Sequence, residues 1–157
     1  MERVSWLRGR TIQVRMTQRV SSSPSPSRAP AVTIALAKRA GATVITTVGS
    51  DDKMEKARAL GADHVINYTK ERFEGRVRKL TGRKGVDVVF EHVGPMTWPG
   101  SLLSMKRGGR LVTCGSTTGI MAETNLHMLF QQQLRIFGSF GCTRRNMRGS
   151  MEKMAQG

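Results

Sequence analysis

Residues 40–63, AGATVITTVGSDDKMEKARALGAD, carry the reading that decides the fold. Thr43 to Val48 is β-branched at every position and bracketed by Gly41 and Gly49, the pattern of a short strand covered on both faces. Ser50 and Asp51 suit a helix N-cap, and Met54, Ala57 and Leu60 recur at helical spacing as far as Gly61, a usual helix stop. A helix therefore starts directly from the strand's carboxyl end. In open parallel sheets ligands collect outside that end, where a helix N-terminus offers N–H donors and a positive dipole to phosphate. Gly49, Ser50 and Lys53 converge there.

The same plan repeats outward from this unit. Upstream, Ala31 to Ala40 reads as a helix with Ile34, Leu36 and Ala37 facing a sheet. Downstream come a strand at His64 to Tyr68, a helix at Glu71 to Leu80, a buried strand at Val86 to Phe90, a helix at Trp98 to Met105 ending before Gly108 and Gly109, and a strand at Arg110 to Cys114. A helix from Glu123 to Leu134, a strand from Arg135 to Phe140 and a final helix from Arg144 to Gln156 complete the pattern, the last with Met147, Met151 and Met154 expected inward. Strands alternating with helices at this spacing predict an α/β, doubly wound parallel sheet.

Residues 1–30 do not share the rhythm. They hold six Arg and one Glu, a run of Ser and Pro from Ser21 to Pro30, and little to bury, so they are expected to form a disordered or unrelated basic head, with 31–157 as the domain proper. A mitochondrial transit peptide has a similar composition, although a cytoplasmic location is the simpler expectation. The chain has 157 residues, enough for one domain with a core, and a formal charge of +15 that suits an anionic partner. Nucleic acid is disfavoured, because aromatics make up 5% of the chain and the basic residues are dispersed rather than interleaved with stacking platforms. No apolar run reaches the length of a membrane span, and Cys114 and Cys142 are too few for a disulfide framework. His64, His92 and His127 are scattered, so neither a metal site nor a zinc ion is expected in this chain.

AKRAGATVITTVGSDDKMEKARALGADHVINY, GVDVVFEHVG, LLSMKRGGRLVTCGSTTG and RIFGSFG, taken together and in this order, resemble the medium-chain dehydrogenase/reductase superfamily, specifically zinc-type alcohol dehydrogenases and NADPH:quinone oxidoreductases. The resemblance spans Ala31 to Gly157 and implies a Rossmann cofactor domain. It also implies what should precede Ala31: a first strand, a glycine-rich turn for the pyrophosphate, and a GroES-like catalytic domain. SPSPSRAP stands there instead and contains no glycine, so the first strand and its turn are expected to be missing, as is the catalytic domain.

By the same resemblance the cofactor site falls on four loops. Val48 stands where NAD enzymes place an acid for the ribose hydroxyls, while Gly49, Ser50, Lys53 and Tyr68 match positions that hold a 2′-phosphate, which favours NADP(H) over NAD(H). His92, Val93 and Gly94, then Gly115, Ser116 and Thr117, match loops beside the adenosine and nicotinamide riboses, and Gly138 and Ser139 match backbone near the nicotinamide. The implied activity of a full-length parent is hydride transfer between NADP(H) and a carbonyl, alcohol or quinone. This chain alone is expected to be weakly active or inactive, with no catalytic residue of its own. The alternative is a non-catalytic nucleotide-binding module, or one that pairs into a homo-oligomer through an exposed sheet edge.

Overall fold

A computed structural model describes residues 7–15, 29–141, 147–149 and 151–152. The chain runs β1 (Thr11–Arg15), α1 (Ala29–Arg39), β2 (Thr43–Val48), α2 (Asp52–Ala59), β3 (His64–Asn67), α3 (Phe73–Leu80), β4 (Val86–Glu91), α4 (Trp98–Ser104), β5 (Met105–Thr113), α5 (Leu126–Gln131) and β6 (Arg135–Gly138). All pairings are parallel, in the order β3-β2-β1-β4-β5-β6, so the chain order reverses between β1 and β4. The α/β, doubly wound expectation holds.

One expectation is corrected. The central position expected to be vacant is filled by β1, TIQVR, which pairs with β2 on one side and β4 on the other. The physical reason is a set of bonds made far along the sequence. The Asp87 carboxylate accepts the Thr11 N–H at 3.0 Å and the Arg10 guanidinium at 3.1 Å, and the Thr46 hydroxyl donates to the Val14 carbonyl at 2.8 Å. Ile12 and Val14, only 4% and 0% exposed, then fill the core, so this part of the supposed head belongs to the domain. The Ser/Pro stretch is also shorter than expected at its far end. Ala29 and Pro30 open α1, where a proline's missing N–H costs nothing; residues 16–28 lie outside those described.

Strand alternation distributes the core onto two faces. Ile12, Val14, Val44, Val48 and Val88 pack with Ile34 and Ala37 of α1 and Ala57 of α2. Ile45, Ile66, Val89 and Leu111 pack on the other face with Phe73 and Val77 of α3 and Leu102 of α4. Gln13 points into this second face with its amide fully buried and unpartnered, as does the Thr47 hydroxyl. A buried orphan amide is unfavourable.

Element ends differ in instructive ways. β5 starts at Met105, five residues earlier than expected, and the ladder to β4 shifts register between Val86 and Val88. Gly108 and Gly109, expected to end a helix, instead lie in this irregular stretch: Gly108 has φ +71°, and a Cβ on Gly109 would lie 2.8 Å from the Lys106 carbonyl. α5 is shorter than expected and is capped by Asn125, whose side chain accepts the Met128 N–H. Of the predicted last helix, 147–149 and 151–152 are helical and the rest lies outside the described residues. Met147 and Met151 are 53% and 64% exposed rather than inward, and Met154 is not among the described residues.

Candidate functional site

The parallel sheet puts every strand's carboxyl end on one edge, and the predicted site residues separate there into two groups, one on each side of β1. The first sits at the ends of β2 and β3. Gly49 is buried, Ser50 and Lys53 half-buried, and Tyr68 is joined to β2 by its N–H on the Val48 carbonyl at 3.0 Å. Asp51 does not cap α2 with its side chain. It accepts instead from the Asn67 amide at 2.8 Å and pairs with Lys70. Lys70 first, and Asn67 with it, hold the Asp51 carboxyl below its ordinary value. Asp52 is likewise lowered, first by a hydrogen bond from Ser50. Asp51 is thus matched by Asn67 and Lys70, whereas Asp52 draws on Ser50 and the neighbouring Lys53 and Lys56.

The second group lies at the ends of β4, β5 and β6. The His92 carbonyl accepts the Thr117 hydroxyl at 3.0 Å, and the Val93 carbonyl accepts both the Thr118 N–H and its hydroxyl at 2.8 Å. These bonds bring His92, Val93 and Gly94 against Gly115, Ser116 and Thr117. Gly94 has φ +97°, and a Cβ on it would come within 3.1 Å of the Gly119 carbonyl, so the two loops approach as closely as only glycine permits. Ser139 follows on through its N–H to the Thr113 carbonyl at 2.8 Å, and Gly138 ends β6 beside it. Gly115, Ser116, Thr117, Gly138 and Ser139 are exposed, whereas His92 and Val93 are buried. His92 packs edge-on to Phe90, with ring centroids 6.0 Å apart.

Between the two groups, a cleft of about 500 Å³ is lined by Tyr68, Lys70, Arg72 and Phe73 on one side and by Met96 and Thr97 on the other. Sequence reasoning reached Tyr68 but not the opposite wall. It placed Glu91 in the loop that ends β4 but not the role of its side chain: Glu91 is fully buried at the end of β4 and holds that wall. Its carboxylate accepts the Val93 N–H at 2.7 Å and the Thr97 hydroxyl at 3.1 Å, and takes a short hydrogen bond from the Ser101 hydroxyl. The available signal was an acid closing an apolar strand, with hydroxyl residues six and ten positions on.

His64 starts β3, His92 follows β4, His127 lies in α5 and Cys114 follows β5; among the described residues no three His, Cys, Asp or Glu side chains are grouped to hold an ion. Cys142 lies outside the described residues. Burial first, and the neighbouring Glu91 charge second, raise the Cys114 thiol above its ordinary value, so it is no ready thiolate.

The sequence model of the zinc-binding dehydrogenases matches residues 31–156. The chain belongs to that family. Among curated relatives, the quinone oxidoreductase of Salmonella typhimurium is 41% identical over 113 residues, which cover 72% of this chain and 33% of the relative. Quinone oxidoreductase 1 of Escherichia coli is 39% identical over the same shares. The chain thus spans about a third of the length of these relatives. Among solved structures, an NAD-dependent alcohol dehydrogenase superposes with a TM-score of 0.82 at 32% identity, covering 95% of this chain and 41% of the other. The 2-octenoyl-CoA carboxylase reductase CinF, solved in complex with NADP and 2-octenoyl-CoA, superposes with a TM-score of 0.77 at 25% identity, covering 90% and 34%. The superfamily reading and the Rossmann-type cofactor domain stand on these matches. No described helix is long and apolar enough to cross a membrane.

Proposed function

We propose that this chain is the dinucleotide-binding part of an oxidoreductase, holding NADP(H) in preference to NAD(H). The observation that carries the preference is the end of β2. Val48 is buried and apolar where a ribose-binding acid would stand, and Asp51, exposed three positions on, is paired with Lys70. Gly49, Ser50 and Lys53 are the groups at this corner that suit a 2′-phosphate, which would take over the Ser50 hydroxyl and the Lys53 charge from Asp52, and Tyr68 closes the same corner. The CinF complex contains NADP, which agrees with the reading, while the alcohol dehydrogenase neighbour is NAD-dependent, so the choice rests on these residues.

The dinucleotide, when bound, supplies or accepts the hydride exchanged with a carbonyl, alcohol or quinone. The chain's own part is to bind and orient. The cleft beside Tyr68 takes the adenosine end, the exposed backbone of Gly115, Ser116 and Thr117 faces the ribose beyond β1, and Gly138 and Ser139 approach the nicotinamide. His92 and Val93 back the middle of the site from within the core. No side chain is assigned an acid–base role, and since the chain spans about a third of the relatives it matches, turnover by these 157 residues alone should be weak.

A second reading, a module that pairs through its sheet edge, has one specific support. β6 is an edge strand with all four residues exposed, Ile136 and Phe137 among them.

Calorimetric titration with NADPH, NADH and 2′-phospho-AMP tests the main reading. NADPH and 2′-phospho-AMP should bind, and Lys53→Ala should weaken both by about tenfold while leaving NADH within a factor of about two, as expected for one lost charge-assisted contact. Equal loss for NADPH and NADH would remove the 2′-phosphate assignment.

A further inference from the structure

Glu91 is a fully buried acid in a sheet whose other buried strand residues are apolar or amide and hydroxyl. An ion there is costly unless its oxygens are bonded, and these are. Four of the donors lie on the turn that follows β4 and the start of α4. One oxygen takes the Val93 N–H at 2.7 Å and, more weakly, the Gly94 N–H at 3.4 Å, while the Thr97 hydroxyl lies 3.1 and 3.2 Å from the two oxygens. The Ser101 hydroxyl binds the other oxygen. The carboxylate therefore ties the turn from Val93 to Thr97 onto the end of β4 and the first turns of α4.

Two of these donors differ in what they reach. Thr97 lines the cleft, next to Met96, across from Tyr68 and Phe73. Ser101 is fully buried in α4 and does not line this cleft. The turn's backbone has little freedom of its own to hold the wall: Gly94 sits at φ +97°, a conformation that is entropically expensive to fix without partners. Without Glu91, the buried Thr97 hydroxyl and two buried backbone N–H groups would lose their acceptor.

We propose that Glu91 is a positioning residue for the adenosine end of the dinucleotide. It acts through Thr97, setting the distance between the Met96–Thr97 wall and the Tyr68–Phe73 wall. The inference rests on the dinucleotide reading above and adds the residue that shapes its adenosine subsite.

The test uses the full chain, 2′-phospho-AMP as probe, calorimetry for the dissociation constant and thermal unfolding for stability. Glu91→Gln keeps the shape but replaces one acceptor oxygen by a donor, and should weaken binding about tenfold. Thr97→Val should do the same, with Thr97→Ser, which keeps the hydroxyl, restoring affinity to near the wild-type value. Ser101→Ala should lower the unfolding temperature yet leave the dissociation constant within about twofold. If Glu91→Gln does not fold, the Thr97 pair decides. Unchanged affinity in Glu91→Gln or Thr97→Val, or a loss in Ser101→Ala equal to that in Thr97→Val, would reduce Glu91 to a fold-stabilising group and overturn the proposal. A wild-type chain that binds no 2′-phospho-AMP would instead overturn the dinucleotide reading on which it stands.

Discussion

Glu91 and Asp51 each follow or end a strand at the carboxyl edge of the sheet, and each organises the loop around it, yet by opposite physics. Asp51 works at the surface: its side chain is 59% exposed, and it answers to Lys70, 65% exposed, and to the Asn67 amide. Glu91 works inside, fully buried, with backbone N–H groups and two hydroxyls as donors. Surface ion pairs contribute little to stability because water and salt compete for both partners. A buried acceptor contributes little when made and much when removed, since its donors are then stranded. The β2–β3 half of the site is thus built to meet charge and tolerate change, and the β4–β5 half to hold shape.

Glu91→Ala should break the comparison most sharply. It strands buried N–H and O–H donors at once and should cost about 3 kcal/mol, read as a lower denaturation midpoint at unchanged slope. A loss no greater than that of a surface substitution would mean water satisfies those donors.

Asp87 lies between the two extremes, its side chain 12% exposed at the opposite edge of the sheet. Burial works against its ionisation, and hydrogen bonds from Lys106, the Thr11 N–H and Arg10 outweigh it, so its carboxyl titrates below the usual value. A carboxyl depressed in the folded state contributes stability that is complete above its unfolded value, near pH 4, and is lost as pH falls through the folded value. The unfolding temperature should accordingly be steady from about pH 6 to 5 and drop below about 4, and Asp87→Asn should flatten that drop. An identical acid profile in the variant would remove Asp87 as the anchor of β1.

The smallest effect belongs to Asp51→Asn. Exposed as it is, the loss of its charge should leave thermal unfolding unchanged within error at physiological salt, while NADPH binding is retained or strengthened. Clear destabilisation would place the Asp51–Asn67 contact among the structural bonds rather than the surface ones.

The same contrast explains which parts of the site could be read in advance. Gly49, Ser50, Lys53 and Tyr68 follow strands with strong local patterns, so their meeting at one edge follows from parallel pairing alone. His92 to Gly94 and Gly115 to Thr117 were likewise placed at strand ends, and the structure joins them through Thr117 and Thr118. Thr97 and Ser101 could not be assigned to Glu91, because their hydroxyls reach it only after α4 folds back against β4. The Met147 and Met151 stripe shows the reverse failure: helical spacing marks an apolar face but does not supply a surface to cover it, and both side chains are exposed.

Local chemistry by itself determined the βα rhythm from Ala31 onward and the bounds of β2, Thr43 to Val48, because a β-branched run between glycines has one good conformation whatever surrounds it. Only the tertiary structure decided what fills the centre of the sheet. TIQVR is five residues long, carries a polar side chain at its middle, and has only Gly9 before it, with Arg and Ser/Pro-rich sequence after it, to announce a strand. It becomes one because β2 and β4 present open backbone on both sides and the Asp87 carboxylate, 76 positions away, receives the Thr11 N–H. The buried, unpartnered Gln13 amide marks the same origin: position in the sheet, rather than the side chain's own preference, put it there.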